Sequence, residues 1–222
     1  MKWSDYNLNW SRPLKSIISI FSNKIVNFDY FHLRSGNQTL VQGKSEDKIK
    51  KINNYKSYVD TLDNKNIVLD QNKRKDIIIK KISSICSSKD LKNNFNEKLL
   101  DEIVNLVEYP NVILAKFDEI YLKIPQEILI VTMQHHQKYF PLFDNDNKLT
   151  NLFLIVANLE DKKGYIKTGN QRVIEARLSD AKFFWEKNKN QSLVKQVGKL
   201  KNLTFFDKLG SFYDRTQRLK KL

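Results

Sequence analysis

His135 and His136 have the widest chemical repertoire of any residues in the sequence, and their spacing argues against a metal. Adjacent residues on a helix point about 100° apart, so the two cannot chelate one ion as an i, i+4 pair does. Neither Cys86 nor His32 lies nearby to complete a zinc set. At the end of a helix expected over 124–137, a histidine suits the negative helix terminus, or a polar contact to nucleic acid or to a neighbouring domain. The chain carries no GxxxxGK[ST] loop, no Gly-rich dinucleotide fingerprint, no G-x-S-x-G elbow and no HExxH pair, and it has six glycines in all. No catalytic, cofactor-binding or metal residue is assigned on these grounds, and an active site made wholly within this chain is not expected.

The sharpest local feature is the segment GNQRVIEARLSDAKFFWEKN, residues 169–188. It places Arg172, Arg177 and Lys182 on one helix with the aromatic run Phe183, Phe184, Trp185. Two readings stand side by side. In the first, the arginines of a core helix make structural ion pairs, Arg177 with Asp180 at i+3 and Lys182 with Glu186 at i+4. In the second, these charged donors contact phosphate or hold a neighbouring subunit. Lys138, Arg215 and Arg218 complete the candidate basic set.

Charge supports a polyanion partner, with a membrane surface as the weaker alternative. The net charge is +14, and clustered Lys and Arg release counterions from a phosphate backbone. Lys outnumbers Arg 32 to 7 and Asn occurs 23 times, as AT-rich codon drift would also produce. The distribution is more telling. Net charge is +3 over 1–43, +6 over 44–92, −4 over 93–159 and +9 over 160–222, so a basic face is expected in the C-terminal helices. The single Cys86 excludes an internal disulfide and reads as a small buried hydrophobe among Ile78, Ile82 and Ile85. The N-terminus lacks an apolar secretory core and no apolar run approaches the ~18 residues of a membrane span, so cytoplasm is expected.

The elements that must position these residues read as α+β: a mixed strand and helix region followed by a helical one. LKSIISIF and KIVNFDYF suit strands joined by a hairpin turn at Ser22-Asn23, with a third short strand after Ser35-Gly36-Asn37, closing a β-rich segment 1–43. Residues 44–92 form a charged helical segment, with Ile49, Ile52 and Tyr55 on one face, a break near Asp63-Asn64, and Ile78, Ile82 and Ile85 continuing in an antiparallel partner. Over 93–159, a helix 96–107 is capped by Asn96 and broken by Pro110. VILAKF, the helix IPQEILIVTMQHHQ, KYFPLFD, the turn Asn145-Asp146-Asn147 and LTNLFLIVAN then alternate. A boundary is placed near Glu160-Gly164. Residues 160–222 are expected to be helical throughout, with Ile174, Leu178, Ala181 and Trp185 as one stripe and Leu193, Val197, Leu200 and Leu203 as the next. The chain stops in mid-pattern at Leu219-Lys220-Lys221-Leu222, which reads as a truncated protein.

In order along the chain, MKWSDYNLNWSRPLKSI, LVEYPNVILAKFDEIYLKIPQEILIVTMQHHQKYFPLFD, LTNLFLIVANLE, GNQRVIEARLSDAKFFWEKN and FFDKLGSFYDRTQRL resemble the beta subunit of the bacterial two-subunit glycyl-tRNA synthetase. The strongest stretch is Leu106 to Leu209, while residues 44–95 match in helical character only. Val41-Gln42-Gly43-Lys44-Ser45 stands where that family usually has a Gly-His-Arg-Phe type sequence. The family extends beyond both ends of this chain, with an HD-like and an anticodon-binding domain following the point matching Leu222. The resemblance implies an internal piece of a glycine–tRNA ligase beta subunit that binds and orients glycine tRNA. An alpha subunit would carry ATP and Mg and form the adenylate, within an alpha2-beta2 assembly. Arg172, Arg177, Lys182, Lys138, Arg215 and Arg218 then become candidate tRNA contacts. The N-terminal α+β part resembles a phenylalanyl-tRNA synthetase editing-type module, without residues for editing chemistry. A stand-alone RNA-binding protein and a scaffold bundle charged by codon bias are the alternative readings.

Overall fold

In the computed structural model, residues 1–2, 5–11, 14–41 and 49–222 are described. The N-terminal part is a set of very short strands: β1 (Ile17–Ile18), β2 (Ile20–Phe21), β3 (Lys24–Ile25), β4 (Asp29–Tyr30), β5 (Leu33–Gly36), β6 (Gln38–Leu40) and β7 (Ile49–Lys51). The hairpin turn falls at Ser22-Asn23, where both residues adopt positive φ (47° and 62°), as a tight two-residue hairpin requires. KIVNFDYF is not one strand. Ser35 takes over the pairing between β3 and β4, its hydroxyl donating to Val26 O (2.7 Å) and accepting from Phe28 N (2.8 Å).

Helical periodicity misplaced Ile49 and Ile52. Ile49 opens β7, antiparallel to β6, and Ile52 is buried just beyond it, so a strand stands where a helix was expected. The loop singled out at 41–45 lies, after Val41, outside the described residues. Helix α1 (Tyr55–Asp63) starts at an Asn54 capping box and ends where Asp63-Asn64 marked the break. Its expected antiparallel partner, α2 (Gln71–Lys89), packs instead on α3 (Glu97–Leu106). Ile78, Ile82 and Cys86 meet Leu99, Leu100, Ile103 and Val104 there. The N-cap of α3 is Asn96, accepting from Leu99 N at 3.2 Å.

The centre of the molecule is an antiparallel sheet of β8 (Asn111–Lys116), β9 (Phe140–Phe143) and β10 (Leu149–Ala157) in the order β8-β10-β9. Phe153 pairs with Ala115 and Pro141, and Leu154 with Leu114 and Phe140. Alternation sends Ala115, Phe153 and Ile155 to one face and Leu154, Phe140 and Leu142 to the other. Both faces are covered. This is why LFLIVA, residues 152–157, is apolar at every position instead of alternating. The face of Leu154 receives α2 and α3. The face of Phe153 receives α4 (Gln126–Val131), its π-helical extension Thr132–His136 and α5 (Tyr165–Lys189). The helix expected over 124–137 is thus split, with a 3-10 turn over Glu119–Lys123 before it.

After α5 the chain is not helical throughout. The four-residue α6 (Leu193–Gln196) runs into a 3-10 segment Val197–Asn202, ending the expected long helix at Leu203. A hairpin of β11 (Thr204–Phe206) and β12 (Gly210–Ser211) then feeds α7 (Phe212–Lys220). Gly210, at φ 80°, makes the turn in a conformation that L side chains avoid.

Candidate nucleic-acid interface

Helix α5 organises the candidate site. Its N-cap, Gly164, has no side chain to offer, and Asp161 supplies the cap instead, accepting from Ile166 N (3.1 Å) and Lys167 N (2.8 Å). Ile174 and Leu178 are fully buried against Leu129, Met133 and Phe153. Asn170, one turn before Ile174, accepts a 2.6 Å hydrogen bond from the Tyr139 hydroxyl and donates to Ile166 O. Burial of Tyr139 pushes its phenol up to about 12.

With the buried face fixed by Asn170, Ile174 and Leu178, the 100° step of the helix settles where the rest point. Tyr165, Arg172 and Phe183 fall on one line directly opposite the core, and Tyr165 and Phe183 are 74% and 59% exposed. Lys187 lies one turn past Phe183, with Nζ 5.7 Å from that ring, and Lys163 Nζ sits 6.0 Å from the Tyr165 ring. Arg177 is about 140° around the helix from Arg172, on the flank shared with Phe184, and Lys182 occupies the opposite flank. The solvent side of α5 therefore carries cationic and aromatic residues from Tyr165 to Lys187, nearly its whole length, with Gly169, Ala176 and Ser179 between them.

The ion-pair reading of this helix fails for Arg177. Among the described residues no ion pair joins it to Asp180, and Arg172 is likewise outside the ion pairs formed. Lys182 does reach Glu186, at 4.0 Å in an exposed position, worth roughly 0.3–0.5 kcal/mol. The expected apolar stripe also runs out: Ala181 is half-buried but Trp185 is 36% exposed. Residues 183–189 are all exposed, so the C-terminal turns of this 25-residue helix bury no face.

The remaining candidates stand elsewhere. Lys138, at φ 60°, pairs with Glu102 of α3 at 2.8 Å and ties the π-helical end to the opposite layer. His135 and His136 are exposed on that π-helical segment. Arg215 and Arg218 lie on α7, which packs on its own hairpin and on the 3-10 segment before it. The Arg215 guanidinium stacks 4.5 Å from the Phe205 ring. The structure thus gathers Arg172, Arg177 and Lys182 on α5 and leaves the other three apart. Tyr165, Lys163 and Lys187 were overlooked, although the i, i+4 spacing of Phe183 and Lys187 was legible. Among the described residues no group of three or more His, Cys, Asp or Glu could hold a metal ion, and no helix is long and apolar enough to cross a membrane.

The architecture is an antiparallel sheet covered by helices on both faces and followed by a basic region of helices and one hairpin. A family model described as glycyl-tRNA synthetase beta subunit matches residues 1–222, and the chain belongs to that family. Similar proteins include the Glycine--tRNA ligase beta subunits of Clostridioides difficile (strain 630), 37% identical over 100% of this chain, of Streptococcus agalactiae serotype Ia, 34% over 99%, and of Rickettsia akari (strain Hartford), 33% over 99%. The chain spans about a third of the length of these relatives, 32%, 32% and 33% respectively.

Proposed function

We propose that this chain binds and orients tRNA as part of a glycine–tRNA ligase beta subunit. In this reading it works with an alpha subunit that activates glycine with ATP and Mg, in an alpha2-beta2 assembly. The observation that carries the reading is the outward face of α5, where Arg172 stands between exposed Tyr165 and Phe183 without an ion-pair partner among the described residues. An unpaired guanidinium on the outward face suits a phosphate backbone, since it brings a fork of donors to phosphate oxygens. Membership of a family whose members are named for ligating glycine to tRNA makes tRNA the polyanion of choice. The C-terminal charge agrees, with 16 Lys and Arg against 7 Asp and Glu over 160–222.

Lys138 has a lesser part in this reading, because its ammonium already serves Glu102. Arg177 and Lys182 flank the stripe and would meet the backbone on either side of Arg172. Competition binding tests the proposal. Labelled glycine tRNA and an unstructured RNA of equal length are titrated with the chain at one salt concentration. Preferential binding of the tRNA is expected, and equal affinity for both would reduce the reading to a scaffold with codon-driven charge.

A further inference from the structure

The hairpin between α6 and α7 carries a second feature that the α5 stripe does not explain. In β11, alternation turns Phe205 inward, where its ring meets Phe212 edge-on at 5.4 Å, and turns Phe206 outward, where it is 65% exposed. Phe206 lines an open cleft of about 800 Å³ with Lys201, Lys208, Tyr213 and Asp214. Lys201 Nζ is held 5.0 Å from the Tyr213 ring. The Asp214 carboxylate is already engaged, accepting from Ser211 N (2.8 Å) and Ser211 Oγ (2.7 Å). Asp207 lies on the turn and offsets one of the positive charges. Residues 193–222 nonetheless carry eight Lys and Arg against two Asp, so the surface around the cleft is strongly basic.

We propose that this cleft is a subsite for an unpaired RNA nucleotide, whose base stacks on Phe206 and whose phosphate meets Lys201 and Lys208. An exposed aromatic ring beside lysines is the arrangement by which single strands are held without base-specific readout. Charge complementarity selects the occupant: an apolar partner would have to desolvate the lysines, whereas a nucleotide satisfies ring and ammonium together. The proposal rests on the reading of the chain as RNA-binding and adds the kind of RNA this site takes, a single strand and not a folded duplex.

The test is fluorescence anisotropy of a labelled eight-residue oligouridylate with the full chain, alongside folded glycine tRNA. Phe206→Ala is expected to weaken oligouridylate binding roughly 5- to 100-fold, the loss of one base–aromatic stack. Phe206→Trp is expected to retain it, and Lys208→Ala to lower the salt slope by about 0.7. Because Phe206 is exposed, the circular dichroism of both Phe206 variants should match the parent. Oligouridylate affinity unchanged in Phe206→Ala, or lost equally in Phe206→Trp, would overturn the proposal. Failure of the oligouridylate to bind while tRNA still binds overturns the cleft and leaves the α5 reading standing. Oligouridylate binding that Phe206→Ala abolishes, with no preference for tRNA, supports the cleft and removes the other.

Discussion

The Tyr139 hydroxyl donates a 2.6 Å hydrogen bond to the side-chain oxygen of Asn170, joining the segment QKYFP to the segment GNQRV. Tyr139 and Asn170 are 31 residues apart, both stretches belong to the family pattern, and the bond adds to the packing of Ile174 and Leu178, which sets the rotation of α5 and with it the direction of Arg172. Tyr139→Phe should cost about 0.5–1.5 kcal/mol, because Asn170 loses a partner in a half-buried place. The pH dependence has a defined sign. A phenol raised to about 12 in the folded protein contributes stability that is full below its unfolded value near 10 and is lost as pH rises through the folded value. Denaturant melts should therefore show the parent's advantage holding at neutral pH, shrinking above about pH 10 and giving way to an advantage of the variant toward pH 12, because burial penalises the ionised phenol that the variant lacks.

Asn158 joins another two segments of the pattern, with Oδ1 accepting from Glu108 N (2.7 Å) and Tyr109 N (3.3 Å). It thereby binds the end of β10 to the turn of LVEYP. Asn158→Ala should destabilise by about 1 kcal/mol, and Asn158→Asp, which keeps the acceptor, should recover most of it. Thermal melts of the three proteins check this; equal loss in both variants would point to packing instead.

The two faces of the sheet can be weighed separately. Phe153→Ala opens a cavity under α5, and Leu154→Ala opens one under α2 and α3. Costs of about 3–5 and 2–5 kcal/mol are expected. The substitutions act on opposite sides of one sheet, so hydrogen exchange should loosen α5 first in the former and α3 first in the latter.

Gly210 should not accept a side chain. Its φ of 80° costs an alanine roughly 1–2 kcal/mol. An added Cβ would also stand 2.6 Å from Asp214 Oδ2, the group that caps α7. Faster amide exchange along α7 in Gly210→Ala would register both effects. The Ser211 hydrogen bonds hold the Asp214 carboxyl below its usual range. This capping contribution is present above the unfolded value of 3.8 and fades as pH falls through the folded one below it, so α7 should fray only below about pH 4, ahead of the sheet.

Much of this architecture was readable in advance where a single local rule decided the outcome. Ser22-Asn23 made the expected hairpin, Asn96 capped the expected helix, and the apolar strands of 111–157 paired into the sheet. Ile49 and Ile52 misled because their spacing is compatible with a helix while their environment, opposite β6, is set by distant residues. The C-terminal hairpin escaped because the apolar stripe Leu193, Val197, Leu200, Leu203 suggested that helix continues through 160–222, although Gly210 marks a turn. At the candidate site, composition pointed to α5 but not to its exposed line. Which of Arg172, Arg177 and Lys182 faces outward depends on which side is buried, and the packing of Ile174 and Leu178 on Leu129, Met133 and Phe153, distant in sequence, decides that.

The role of α5 is tested most directly by the salt dependence of glycine tRNA binding in the parent and in Arg172→Ala, titrated from 50 to about 200 mM salt. The account predicts weaker binding and a slope shallower by about one unit, with an unchanged melting temperature. An unchanged slope accompanied by a lower melting temperature would contradict it and return Arg172 to a structural role.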